Sequence, residues 1–234
     1  MEVAVMYSGG KDSTYAIAHC MEKKYKIKYL LSIKPTRTDC FLFHYATVEH
    51  TKELANIFGI KHIYETCDVA DPQKEAQIVR NIVAKNPVEA LVLGGTGLQK
   101  TQIKAIRDAL FDLGVEVFAT HSGEDHGNLL YEMIDNGYEI IITQIATEGL
   151  GKDWLGRKLT RENYLELKKL SEKYGFHIGF EGGYADTLVV DGPIFTKKLE
   201  IVDAEKIMQS KYEGYLKINK LRIIDKLPKI YTSY

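Results

Sequence analysis

From its first residues the chain alternates short apolar runs with longer stretches of helical periodicity. Val3–Tyr7, Lys28–Ile33, His62–Thr66, Ala90–Leu93 and Glu116–Ala119 are brief and rich in apolar residues, as strands buried on both faces of a parallel sheet are. Between them, Ser13–Tyr25, Val48–Phe58, Gln73–Ala84 and Thr101–Leu113 place apolar residues at helical spacing. Pro72 stands where a helix begins, and Gly59 and Gly114 stand where helices end, each residue type suiting that position. Alternating strand and helix predict an α/β fold with a doubly wound, mostly parallel sheet. Such sheets bind ligands beyond the carboxyl ends of their strands, at a topological switch point. That rule gathers Ser8–Ser13, Ser32–Thr36 and Gly94-Gly95 around one crevice.

The rhythm changes near residue 121. A helix, Leu129–Asn136, leads to a strand, Glu139–Ile145, and then to a loop carrying Gly149, Gly151 and Gly156. A charged helix, Arg161–Tyr174, follows, and Asp186–Asp191, Lys197–Val202 and Leu216–Ile224 alternate as strands do. The pattern predicts two domains: residues 1–120, which hold the switch-point crevice, and a smaller α+β domain, residues 121–234.

Composition narrows the partners. Lys and Arg number 31 against 32 Asp and Glu, a net charge of -1, so no global field draws nucleic acid or an anionic membrane. The Lys-rich stretch from Lys197 to Lys229 is interleaved with acids and reads as a solvated face. No apolar run reaches the length of a membrane span, and the chain opens on a core strand rather than a signal peptide. The three cysteines, Cys20, Cys40 and Cys67, form no C-x-x-C, which argues against zinc or a disulfide framework and for a reducing cytoplasm. The seven histidines show no H-E-x-x-H or similar spacing, so structural or surface roles are expected and no metal site is assigned.

Chemistry concentrates at Ser8-Gly9-Gly10-Lys11-Asp12-Ser13, directly behind the first strand and opening the first helix. A strand–turn–helix of this kind gathers backbone N–H groups and the positive end of a helix dipole around one point, which suits a phosphate. Gly9 and Gly10 allow close backbone approach, Ser8 and Ser13 add hydroxyls, and Lys11 adds a mobile cation. The spacing is not that of a Walker A loop. The sequence resembles instead the signature of the PP-loop, or N-type, ATP pyrophosphatases. The resemblance implies a loop that holds the β,γ-pyrophosphate of ATP while an acceptor oxygen attacks the α-phosphorus.

Two later blocks sharpen the resemblance. Glu148-Gly149-Leu150-Gly151-Lys152-Asp153-Trp154-Leu155-Gly156-Arg157 contains the only tryptophan, and Glu181-Gly182-Gly183-Tyr184-Ala185-Asp186-Thr187 runs on to Asp191-Gly192-Pro193-Ile194-Phe195. Taken alone, the first suits a packed loop and the second a turn between strands. With the first motif, they resemble the diphthine–ammonia ligases and their archaeal relatives, over about residues 3–205. The resemblance implies an adenine-nucleotide α-hydrolase-like sheet and an ATP-dependent ligase: diphthine of elongation factor 2 is adenylated, and ammonia displaces AMP. It therefore implies ATP and Mg2+ as cofactors, ammonium and elongation factor 2 as partners, and a possible homo-oligomer in the cytoplasm.

Carried over by position, Ser8, Gly9, Gly10, Lys11, Asp12 and Ser13 form the pyrophosphate loop, Ser32 and Ile33 lie near adenine, and Gly95 follows the fourth strand. Lys11, Asp12, Glu181, Asp186 and Thr187 are the implied catalytic group, the last three on the acceptor side with Gly182, Gly183 and Asp191. Asp12 is the loop carboxylate suited to orient Mg2+, and His44 of an aromatic–His pair suits phosphate, acceptor or structure alike. The departures fall on the acceptor side. Tyr184 stands for the family's acid, Ala185 for its aromatic and Asp186 for a second Glu. Thr120-His121-Ser122-Gly123 replaces a Pro-x-Trp-Gly, and Gln99, Thr101, Gln102 and Ala105 replace a Ser…Tyr-Gln…Arg pattern. Two other readings stand beside the ligase: an ATP-binding sensor without ligase activity, and a tRNA-modifying PP-loop enzyme.

Overall fold

A computed structural model describes residues 1–36, 47–95, 100–120 and 125–226. Five parallel strands, β1 (Glu2–Met6), β2 (Lys26–Pro35), β3 (His62–Cys67), β4 (Ala90–Leu93) and β5 (Glu116–Ala119), form one sheet in the order β3-β2-β1-β4-β5. Helices α1 (Lys11–Glu22), α2 (Thr51–Phe58), α3 (Pro72–Lys85) and α4 (Lys100–Leu110) connect them. The α/β sheet expected from the alternating pattern is the one observed. Because β1 packs both faces, its side chains divide by parity. Val3 and Val5 join Ala16 and Ile17 of α1 on one face, and Ala4 joins Val79, Ile106 and Leu110 on the other. Pro72 opens α3, behind Asp71, whose carboxylate accepts from the N–H groups of Gln73 and Lys74. Gly59 and Gly114 end their helical segments in the left-handed region.

The second half forms a four-stranded antiparallel sheet, in the order β7-β6-β9-β8, from β6 (Glu139–Ala146), β7 (Ala185–Asp191), β8 (Lys197–Met208) and β9 (Glu213–Asp225). Strand β8 runs six residues past the Val202 end expected from sequence. A break in register between Ile201 and Ala204 disrupts the alternation that marks a strand. Helix α5 (His126–Asp135) likewise begins before the first apolar position, because Asp125 caps it through the N–H groups of Gly127 and Asn128. Helix α6 (Arg161–Tyr174) carries a capping box between Thr160 and Asn163.

One apolar cluster joins the two sheets. It contains Val3, Val5 and Ile17 from the first half and Ile140, Trp154, Leu188 and Val190 from the second. Within it α1 lies against β7 and α2 against β8. This packing carries the start of α1, and so the Gly-rich loop, onto the N-terminal half of β7. Among the described residues no helix is long and apolar enough to cross a membrane.

Candidate functional site

Strand order reverses at β1: the chain passes from β1 to β2 on one side and later returns to β4 on the other. The Ser8–Ser13 loop leaves β1 at this switch point, where α/β sheets leave a crevice. Gly9 sits at φ +83°, a conformation that a side chain would strain. Gly10 is the N-cap of α1, extended at φ −76° and ψ 171°, and makes no side-chain cap bond. By contrast, Asp71, Asp125 and Thr160 cap α3, α5 and α6 with their own side chains. Gly10 offers α1 no such side-chain acceptor, so the backbone at the start of this helix carries no capping side chain of its own.

The loop is braced on every side. The Ser8 N–H donates to Ser13 Oγ at 3.2 Å, and Ser13 Oγ donates to the Gly10 carbonyl at 3.1 Å. Thr47 Oγ1 donates to the Ser8 carbonyl at 2.9 Å. From β4, Gly94 approaches so closely that a Cβ there would lie 2.6 Å from both Asp12 C and Ser13 N. Lys11 is buried, and its ammonium rests on Asp12, 2.7 and 2.8 Å from the two carboxylate oxygens. A charged lysine is thereby held at the mouth of the loop, on a stem that can turn toward a phosphate.

Strand β7 meets the loop directly. The Lys11 N–H donates to Thr187 Oγ1 at 3.1 Å, and the Val189 N–H donates to the Gly9 carbonyl at 2.9 Å. A Cβ on Gly10 would lie 3.2 Å from the Thr187 carbonyl oxygen. Thr187, expected on the acceptor side, therefore braces the Ser8–Ser13 loop. Glu181 also reaches across. Gly95 lies between it and the loop: a Cβ on Gly95 would lie 3.6 Å from Glu181 Oε1 and 4.0 Å from Asp12 Cβ. Glu181 Oε1 is 2.8 Å from His126 Nδ1 at the start of α5.

The sequence covers the diphthamide synthase N-terminal domain over residues 1–115 and the diphthamide synthase C-terminal domain over residues 125–224. The chain belongs to the diphthamide synthase family. Curated relatives extend over nearly its whole length. The human protein named diphthine–ammonia ligase is 26% identical over 100% of this chain and 97% of its own. A zebrafish (Danio rerio) protein of the same name is 29% identical over 97% and 98%. A fission yeast (Schizosaccharomyces pombe) protein, also so named, is 27% identical over 93% of this chain but only 39% of its own. These relatives place the chain among ligase enzymes.

Other expected residues lie apart from the loop. Ser32 is buried; its hydroxyl donates to the Tyr7 carbonyl at 2.6 Å and accepts from His62 Nε2 at 2.9 Å. The Ile33 side chain lies in the core on the face covered by α3 and α4. What either residue can offer adenine is its backbone. Asp191 sits at the far end of β7 in a turn held by Lys226, whose Nζ is 2.6 Å from Asp191 Oδ1 and donates to the Gly192 carbonyl at 2.8 Å. The turn-between-strands reading describes this part of the motif. Trp154 is buried with the Arg157 guanidinium 4.2 Å over its ring, so the tryptophan loop is a packed one.

The departures from the family pattern divide in the same way. Tyr184 packs its ring near Phe176, at 6.2 Å between centroids, and Ala185 is buried in the core that joins the sheets. Asp186 lies on β7 opposite Gln144 of β6. Thr120 braces the glycine turn after β4, its N–H and hydroxyl both donating to carbonyls of Leu93 and Gly94. His44, Gln99 and His121-Ser122-Gly123 lie outside the described residues. Cys20 and Cys67 are buried, and burial pushes the Cys20 thiol up to about 11. Neither offers the exposed thiolate that sulfur transfer needs.

Sequence reasoning missed His126. Its spacing from Asp12 and Glu181 carries no local pattern, and only the packing of α5 beside the loop brings the three together. The nearest signal in the sequence is Asp125, whose capping of α5 fixes the residue that follows it.

Proposed function

We propose that this protein is an ATP-dependent, AMP-forming ligase. In this reading it adenylates a carboxylate, that of diphthine on elongation factor 2, and couples it to ammonia. The observation that carries the reading is the Ser8–Ser13 loop at the switch point, where an extended Gly10 opens α1 without a side chain and Lys11 is buried with its ammonium on Asp12. Family membership supports the choice of acceptor, since the relatives bear the name diphthine–ammonia ligase.

The chemistry follows from position. The loop N–H groups and Lys11 receive the β- and γ-phosphates and stabilise the charge that grows on pyrophosphate as the carboxylate oxygen attacks the α-phosphorus. Attack forms the acyl–phosphate bond and breaks the bond to the β-phosphate. Ammonia then adds to the acyl carbon, and AMP leaves with the carboxylate's bonding oxygen. No protein nucleophile is needed, so the rate rests on holding the reactants in line. Asp12 and Glu181 present hard oxygen donors of the kind Mg2+ prefers. Bound there, Mg2+ would neutralise phosphate charge. In this reading residues 1–120 hold the nucleotide and residues 121–234 the acceptor, except where Glu181 and Thr187 cross to the nucleotide. The setting is the cytoplasm.

The test is turnover with ATP labelled at the α-phosphorus, beside diphthine-bearing elongation factor 2 and isotopic ammonium. Labelled AMP and stoichiometric nitrogen incorporation are expected. ADP and inorganic phosphate as the only products would overturn the reading, and AMP without nitrogen incorporation would move the acceptor elsewhere.

A further inference from the structure

A crevice of about 460 Å3 lies between the first turn of α2 and the β8–β9 ribbon, and none of Ser8–Ser13 lines it. Packing holds it open. The last turn of α2 is tied to the start of the ribbon: Thr196 Oγ1 donates to the Ile57 carbonyl, and the Phe58 and Phe195 rings meet edge-on at 4.8 Å. The ribbon itself is pinned twice. Glu213–Tyr215 pair with β6, and Lys226, just past β9, donates to the Gly192 and Phe195 carbonyls at 2.8 and 3.2 Å. Between these anchors β9 pairs with β8 alone among the described residues. The space left beside α2 is therefore preformed, and its volume falls within the range of small-molecule sites, roughly 300–1,000 Å3.

Its walls are chemically unequal. His50 and Glu53 come from α2 and the residue before it; Lys220 and Arg222 come from the ribbon, with aliphatic surface from Leu199, Ile218 and Leu221. Arg222 is committed to Glu200, its Nε donating at 2.8 Å. Glu53 and Lys220, by contrast, have no hydrogen-bond or ion-pair partner among the described residues. Glu53 Oε2 is also shut from water, and an unpartnered buried oxygen is costly unless a cation stands beside the carboxylate. His50 Nε2 is unpartnered too, and burial lowers its pKa, so the ring adds no positive charge near neutral pH. An uncommitted anion and an uncommitted cation thus stand on opposite walls, with hydrocarbon around them.

From this arrangement we propose that the crevice is a binding site for a zwitterionic amino acid with an aliphatic side chain. Its ammonium meets Glu53, its carboxylate meets Lys220, and its side chain lies on Leu199, Ile218 and Leu221. A ligand with a single charge satisfies one wall and leaves the other unpaired. Hydrogen bonds between charged groups are the stronger ones, and the aliphatic lining takes the side chain out of water. The site is separate from the ligase chemistry proposed above. Its test contains no ATP, so it can fail while that reading stands.

The experiment titrates isotope-labelled protein with L-leucine and follows the backbone amide resonances. Saturable shifts centred on His50–Glu53 and Ile218–Ile223 are expected. Isoamylamine, which lacks the carboxylate, and isocaproate, which lacks the ammonium, should each bind at least ~tenfold more weakly. Glu53→Gln and Lys220→Met should weaken L-leucine by a similar factor. Either single reversal, Glu53→Lys or Lys220→Glu, should abolish binding. The double reversal should restore it, because a zwitterion can turn end for end. Thermal melts verify that each variant folds. Absence of a saturable shift at millimolar L-leucine, or shifts that spare the crevice, would overturn the site. Full binding by Glu53→Gln would do the same. So would either analogue binding within about threefold of L-leucine, a comparison made on wild type alone and so independent of how the variants fold.

Discussion

The Ser8–Ser13 loop and the Glu181–Asp191 segment are both short, glycine-bearing motifs, yet the fold uses them in opposite ways. The first keeps its residues together: Ser8, Gly10 and Ser13 bond to one another, and Lys11 rests on Asp12. The second is dispersed. Glu181 faces Asp12 and His126, Tyr184 packs toward Phe176, Thr187 holds the Lys11 N–H, and Asp191 is clamped by Lys226. A turn between strand and helix concentrates consecutive residues on one point, whereas an extended strand spreads them over some 3.3 Å each and alternates their direction. Contiguity in sequence therefore marks a site in the loop and not in the strand.

The largest effect that bears on this contrast comes from two glycines. Gly94→Ala places a Cβ 2.6 Å from the backbone of Asp12 and Ser13, which cannot yield without moving the start of α1. We expect a stability loss of about 2–3 kcal/mol and a fall in adenylation rate of roughly a hundredfold, because displaced reactants lose alignment. Gly183→Ala, in the second motif, meets nothing within 4 Å and suffers only its φ of +81°. About 1–2 kcal/mol of stability should be lost there with ATP binding intact. Melts and ATP titrations of both variants decide the matter. Equal losses of ATP affinity would show that the second motif is as much a part of the nucleotide site as the first.

A finer test separates supporting the loop from meeting the acceptor. Lys11→Ala removes a charge-assisted contact worth about 1.5–3 kcal/mol, so the Kd for ATP should rise roughly tenfold to a hundredfold. Thr187→Val keeps the side-chain shape but leaves the Lys11 N–H without its 3.1 Å acceptor. A loss of about 1 kcal/mol in loop order should raise the ATP Kd about fivefold, with the KM for the proposed diphthine acceptor unchanged at saturating ATP. An unchanged ATP Kd with a raised acceptor KM would return Thr187 to the acceptor side.

How far the sequence reveals the molecule follows from the same contrast. The parallel sheet is legible because its central strands, β1 and β4, are buried on both faces and its helices are bounded by cap signals such as Asp71-Pro72 and Gly114. The Gly-rich loop is legible because its chemistry is local. The role of Thr187 is not, because it depends on β7 crossing onto α1, a contact between residues 176 positions apart. Nor is the meeting of His126 with Glu181 and Asp12, which rests on the packing of α5. Ala185 carries a further lesson. The family's aromatic at this position invites a restoring Ala185→Tyr change, but the site is buried in the shared core. Adding a ring there would overpack it, so only Tyr184→Glu isolates the missing charge.

The smallest effect concerns acid, and it separates the two halves by pH. Burial lowers the His62 pKa from its usual value, and desolvation outweighs the opposing charge of Glu53. Ser32 commits its only proton to the Tyr7 carbonyl, so His62 Nε2 donates to Ser32 in the neutral ring. Burial lowers His50 in the same way, beside α2. In the second half, Glu139 feels burial pushing it up, but Lys198 and Lys158 prevail and hold it below the ordinary range. The signs follow from linkage. A histidine with a depressed folded pKa takes up more protons when unfolded. Its contribution is complete above the unfolded value of about 6.5 and declines as pH falls below it. A depressed carboxylate contributes fully above about 4.3 and loses that contribution only at lower pH. Because one apolar cluster joins both sheets, a single melting transition should report both losses in sequence. The melting temperature should fall below pH 6.5 and again below pH 4.3, with His62→Gln flattening the first decline and Glu139→Gln the second. Were His62→Gln to steepen the first decline or leave it untouched, the neutral buried histidine at β3 would be the wrong account of the first half's sensitivity to acid.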